Sequence, residues 1–235
     1  MKAAVKAAAI GAEGSLAFRA GTLLPGTPSR PGSVKLTIPA DASRLDQIRA
    51  VGCHLLFQYG YAGMTMRQIA ARLDLKAASL YYHFPSKQDI LFDLMRQTAS
   101  DLLDGLRGTL QKGGQAGKFA VAQLEQAVRW HVMFHTQKRE EAFVSHSELR
   151  SLDPENLRAI LKLREDYDRL FDALLKEAHK QGTLRVPPSG VLRNAILTMC
   201  TATAGWFSPA GRLSAAGVAD QIWSFIAAAV LDPNR

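Results

Sequence analysis

Two groups of side chains in this sequence are of types that could do chemistry. The first lies in Gly63–Lys87, GMTMRQIAARLDLKAASLYYHFPSK. Thr65 and Arg67 stand at a helix start, where free backbone N–H groups and a guanidinium suit a phosphate. Lys76, Tyr82, His83 and Lys87 offer further donors to an anionic backbone. Ala77, Ala78, Ser79 and Tyr81 share the face that could enter a major groove. A serine hydroxyl bonds to either kind of base edge, and alanine methyls can meet the thymine methyl. Tyr81 is equally suited to packing against supporting helices. The chemistry implied is duplex DNA recognition, with positioning and reading divided between the two sets.

The second group is spread over the C-terminal half. His131 and His135 fall one helical turn apart, on the face carrying Ala120, Leu124, Ala127 and Val128, so both point toward an apolar interior. Arg164 lies in the middle of a second stripe, Leu157, Ile160, Tyr167, Phe171, Leu174 and Ala178. A buried arginine must be paired or must face an anion. Glu148 is the candidate partner. These four form either a structural network or the polar part of a ligand site. Trp130, Phe134, Phe143, Met199 and Trp206, with Tyr167 and Phe171, supply core or cavity wall. A metal held by the histidine pair has no third ligand fixed by sequence. An acid–base enzyme using His131, His135 and Glu148 is the leading alternative, but there is no Gly-rich cradle, nucleophile elbow or metal triad. A helical adaptor without an effector is the other alternative. No cofactor is implied.

The elements that must position these groups are helical throughout. Thr65 followed by Gln68 is a capping box that starts a helix at Met66, with Met66, Ile69, Ala70 and Leu73 on one face. Asp74 stands at the break, a residue that enters left-handed geometry cheaply. A second short helix, 77–82, tucks Ala78 and Leu80 inward, and Phe84-Pro85 ends it. Ser86 caps the next helix. Ahead of this pair, Leu45, Ile48, Gly52, Leu55, Leu56 and Tyr59 line a supporting helix that ends at Gly60. A long helix from Ser86 to Leu110 links a small unit to a large one, and 112–117 reads as a loop. Helices then follow over 119–137, 139–149, 154–181 (Asp153 capping, Pro154 in the first turn), 189–207 and 214–231. On the last two, Ala195 and Ala202 with Val218, Ile222, Phe225 and Ala229 leave small residues where helices approach closely. Two such pairs would join two subunits in a four-helix bundle.

The formal charge of +8 favours an anionic partner, with nucleic acid first. No window approaches the ~18 unbroken apolar residues of a membrane span. Cys53 and Cys200 lie far apart, without metal or redox spacing, as expected of a reduced cytoplasmic protein. Residues 1–42 are rich in Ala, Gly, Pro and Ser, with basic residues scattered among them, and read as a disordered basic arm. The expected division is 1–42 arm, 43–90 helix-turn-helix domain and 91–235 effector-binding and dimerisation domain.

The block from Arg44 to Leu91 resembles the DNA-binding domain of the TetR family of bacterial repressors. The resemblance rests on Phe57, Gly60, Thr65, Ile69, Ala70, Leu80, Tyr81, His83, Phe84, Lys87 and Leu91. It departs from the family pattern at Asp74, where glycine is usual, at Lys76, where serine is usual, and at Ala77, often lysine. The runs HVMFH, FVSHSELRSL, REDY and GWFSPAGRLS resemble effector domains of the subgroup controlling lipid, steroid and acyl-CoA breakdown. The resemblance implies an all-α fold and a homodimeric repressor of a palindromic operator, released by an acyl-CoA or other amphipathic acid. Some members carry an arginine on the penultimate helix; this chain has Leu197, Thr201 and Gly205 there.

Overall fold

The structure is a computed structural model that describes residues 36–112 and 120–233. Most of the expected arm, and the expected loop after Lys112, lie outside the described residues. Ten α-helices follow one another: α1 Arg44–Gly63, α2 Met66–Arg72, α3 Ala77–His83, α4 Lys87–Lys112, α5 Ala120–Gln137, α6 Arg139–Ser147, α7 Pro154–Lys180, α8 Gly190–Thr201, α9 Thr203–Trp206 and α10 Ala215–Val230. A 3-10 turn, Leu149–Ser151, joins α6 to α7. Among the described residues the extended pairing is a single isolated bridge, Leu184 to Leu231.

Local chemistry accounts for most boundaries. Ser43 accepts the Asp46 N–H at 3.2 Å to start α1. Gly60, at φ 70°, breaks the helical run before its nominal end at Gly63. Tyr59, next to that break, is exposed rather than on the buried face, and Phe57 is buried instead. Asp153 occupies the cap position of α7, yet its side chain makes no capping bond. The helix expected over 189–207 is divided at Ala202 into α8 and α9. There the Thr203 hydroxyl donates back to the Cys200 carbonyl at 2.7 Å, a local bond that competes with the helical ladder. Arg185 closes the other end of the bundle by donating to the carbonyls of Ala228 and Ala229 at the exit of α10.

The interior consists of two apolar clusters. One joins α1, α2, α3 and the first half of α4 to Val144 on α6, Leu152, and Ile160 on α7. Leu36 and Ile38 pack against it from the chain before α1. The other fills the large unit with Leu103 and Leu106 of α4, the inner faces of α5 and α7, and much of α8 and α10. The expected division at 90/91 falls inside α4, one unbroken helix that feeds both clusters. Cys53 and Cys200 are free and buried. Burial raises both thiols, Cys53 well above its ordinary value and Cys200 to about 12.

Helix α4 approaches α5 at a glycine. A Cβ on Gly105 would lie 2.0 Å from Cζ2 of Trp130, whose indole N–H donates to the Leu102 carbonyl at 3.0 Å. Gly105→Ala therefore has to expel the ring or part the helices. The expected loss is about 1–3 kcal/mol in urea denaturation. Gly108→Ala, where nothing lies within 4 Å, should be neutral or stabilising, since alanine is the better helix former.

Candidate DNA interface and effector site

The α2–α3 pair is held by few but fully committed contacts. The Thr65 hydroxyl accepts the Gln68 N–H at 3.3 Å, and the Gln68 side-chain oxygen accepts the Thr65 N–H at 2.8 Å. Asp74 has φ 51°, the left-handed geometry that turns the chain between the helices. Ile69, Ala70 and Leu80 are buried. Ala78, expected to tuck inward, is exposed. A seven-residue helix meets its support along one narrow line, and here Leu80 with Phe84 one turn later supplies it.

The remainder of α3 faces outward. Ala77, Ala78 and Ser79 are exposed, Tyr81 is half exposed and Tyr82 is 87 % exposed. Thr65, Arg67 and Lys76 are exposed, and His83 is partly so. Lys76 occupies the cap position of α3, where its ammonium, a donor only, cannot accept a backbone N–H. Lys87 is less free. Its ammonium donates to the Tyr61 carbonyl at 3.0 Å and lies 4.3 Å from the centre of that residue's ring. A phosphate contact by Lys87 must share it with Tyr61.

In the large unit, His131 and His135 both face inward and are buried. Nδ1 of His131 is 2.8 Å from the Tyr167 hydroxyl and its Nε2 is 2.8 Å from Thr201 Oγ1. His135 Nδ1 bonds to the His131 carbonyl, and the two rings stack at 4.1 Å. Phe171 meets His131 edge-on. Phe134 is buried beside Trp130 and His135, and Met199 is half buried against the same core. Three expected members of this group lie elsewhere. Phe143 packs edge-on against Phe57 of α1, ring centres 5.1 Å apart. Trp206 is 59 % exposed on the outer surface. Glu148 accepts the Ser151 hydroxyl and makes no ion pair with Arg164, which donates instead to the Ser145 carbonyl at 2.6 Å. The turn of backbone after Ser147 carries Glu148 away from α7, so His131, His135 and Glu148 do not converge.

The seam between the two units holds residues with no assigned role in the sequence patterning. His54 on α1 is buried, with Nδ1 3.2 Å from both carboxylate oxygens of Glu140 on α6. Burial raises the Glu140 carboxyl, and the His54 bond offsets part of that. Gln88 on α4 donates to the Ser151 carbonyl at 2.9 Å. The signal that would have found this seam is a second stripe on α1, Val51, His54 and Phe57, beside the expected one. A helix buried on two sides has two partners.

Of the expected dimer residues, Val218 and Ile222 fill the subunit's own core. Ala195, Ala202 and Ala229 are exposed, and Phe225 is 63 % exposed. The four residues of α10 among these are spaced four, three and four apart and share one stripe, so periodicity does not separate them. The stripe borders the buried face of Ala219, Trp223, Ile226 and Val230, and its first two members are covered while its last two are not.

The buried histidines give the stability a pH dependence. Burial lowers His131 well below its ordinary 6.5 and His135 to about 4. An unfolded chain takes up these protons first, so stability present above pH 6.5 is lost as the pH falls toward the folded values. The thermal midpoint should drop steadily across that window, and less steeply in His135→Gln.

Comparison with known proteins accords with this architecture. The family model for bacterial regulatory proteins of the tetR family matches residues 48–94. That for the tetracyclin repressor-like C-terminal domain matches residues 117–230. The transcriptional repressor KstR2 of Mycolicibacterium smegmatis is 31 % identical over 90 residues, 38 % of this chain; the match spans 37 % of that relative's length. Among solved structures, a tetR-family regulatory protein from Rhodococcus RHA1 superposes with a TM-score of 0.72 at 23 % identity, covering 80 % of this chain and 98 % of its own. AibR in complex with isovaleryl coenzyme A and operator DNA gives 0.71 at 24 % identity, covering 78 % and 98 %. The ketosteroid regulator KstR2 of Mycobacterium tuberculosis gives 0.70 at 18 %, covering 87 % and 100 %. With the two family models matching successive parts of a chain of this fold, the protein belongs to the TetR family of transcriptional regulators, which bind DNA and are not enzymes.

Proposed function

We propose that this chain is a ligand-responsive repressor that binds a palindromic operator as a homodimer and releases it when a small amphipathic effector, an acyl-CoA or a hydrophobic acid, occupies the large unit. Residues 43–90 serve as the reading unit and 91–235 as the effector and dimer unit. The observation that carries this is the outward display of α3, whose Ala77, Ala78, Ser79, Tyr81 and Tyr82 are exposed while Leu80 alone anchors it to the core. Exposed tyrosines on a short helix do nothing for the fold and much for a groove. The net charge of +8 supports a polyanionic partner. The repressor named among the relatives and the AibR complex with operator DNA support the same assignment.

Dimerisation is supported by an apolar outer face on α8, α9 and α10. Val191, Trp206 and Phe225 are exposed there together with Ala195, Ala202 and Ala229. Large exposed apolar residues in such numbers mark an association surface. A two-fold dimer would present two copies of α3 at the spacing of successive major-groove faces. Effector binding would reach α3 through α4 and through the seam of α6 against α1, coupling the two sites without overlap.

Anisotropy titration against DNA flanking the protein's own gene tests the reading surface. Tyr82→Ala and Ser79→Ala should weaken the specific site by about 1–3 kcal/mol and leave folding unchanged. An affinity that is equal for all sequences and only falls with salt would reduce the protein to a non-specific binder. Sedimentation tests the dimer: the native chain should run as a dimer and Phe225→Glu as a folded monomer with weakened operator affinity.

A further inference from the structure

Arg164 sits on the apolar stripe of α7, one turn after Ile160 and three residues before Tyr167, both of them buried. Its guanidinium is therefore directed among the elements and away from bulk water. One N–H donates to the Ser145 carbonyl, and among the described residues no carboxylate comes within ion-pair distance. Asp168 acts on it from farther away, but Asp168 lies 3.6 Å from Arg193, which also holds Asp172. The hydroxyl of Ser145, next to this guanidinium, is buried and has no hydrogen-bond partner. Two kinds of donor thus meet here, with the Ser145 carbonyl the one acceptor that answers the guanidinium and none that answers the hydroxyl among the described residues.

Open space adjoins them. His146 is surrounded by protein, and burial holds its imidazole neutral, yet its surface remains accessible. Arg164 also keeps part of its surface accessible. His135 and His146 each spend Nδ1 on a carbonyl of the preceding turn and are kept neutral, so the positive charge of this enclosure rests on Arg164. Half-buried Leu163, Leu197 and Met199 pack against the core of the large unit and would give an acyl tail its apolar wall.

We propose that Arg164 and Ser145 receive the carboxylate of a free amphipathic acid, head inward, with the acyl tail along the apolar wall. This rests on the effector reading above and narrows it. A planar guanidinium matches a carboxylate through paired N–H donors. Coenzyme A carries its charges on a bulky nucleotide end that would stay at the mouth and leave Arg164 unanswered.

The test uses the full chain with octanoate, dodecanoate and palmitate, dodecan-1-ol as the neutral counterpart, and dodecanoyl-CoA. Thermal midpoint and displacement of a fluorescent fatty-acid probe are the readouts. At least one carboxylate should raise the midpoint and displace the probe, while the alcohol and thioester do neither. Arg164→Met should weaken the carboxylate at least about tenfold, Arg164→Lys less, and Ser145→Ala a few-fold. Should Arg164→Met fail to fold, Arg164→Lys and Ser145→Ala decide. Equal binding of the alcohol, binding of the thioester alone, no binding by any carboxylate, or folded variants with native affinity each overturn the proposal. Operator binding is measured alongside. A chain that binds its operator and answers only the thioester remains a regulator with a different inducer, whereas loss of specific DNA binding overturns the reading underneath.

Discussion

The seam of α1 against α6 is the constraint on which the rest depends. It is mostly apolar, with Phe57 on Phe143 and Val144 in the shared cluster, but a histidine and a carboxylate are closed inside it. Neither group can leave the other cheaply, because an unpaired polar group in such a place costs about 1–3 kcal/mol and a charge costs more. A seam of this kind moves as a block between discrete arrangements and does not stretch. Helices α2 and α3 are built on α1 and on the start of α4, and thus take their orientation from α6. Helix α6 in turn presents Ser145 and His146 near Arg164, so one nine-residue helix borders both the α1–α3 unit and the surroundings of Arg164 in the large unit.

Much of this was legible in the sequence wherever structure is decided by neighbours in the chain. The capping box at Thr65, the left-handed Asp74, the cap at Ser86 and the core stripe of α7 each depend on residues within a turn or two. Helix α3 followed from the same local logic together with the family resemblance. What escaped was decided by partners distant in sequence. Glu148 lay plausibly close to Arg164 on paper, but the 3-10 turn that follows α6 commits it to Ser151. Phe143 looked like part of a ligand site because it is aromatic and lies next to one, whereas its partner is Phe57, far back in the chain. His54 went unremarked because a lone histidine on an apolar face gives no hint of its counterpart.

The same distinction explains the split on α10. Val218, Ile222, Phe225 and Ala229 lie on one stripe at the edge of the buried face, covered at its start and exposed at its end. An apolar helix with small residues shows that both sides are covered without saying by whom. Only the packing separates the part of the stripe that is covered from the part that is exposed.

The buried thiols have a practical consequence. Thiol-directed reagents attack the thiolate, and Cys53 and Cys200 are both enclosed and held protonated well past neutral pH. The native chain is in effect cysteine-silent, so one cysteine introduced on the exposed side of α3 could be labelled singly, without stripping the native pair. Distances between two such spin labels in a dimer would then report the separation of the reading helices directly.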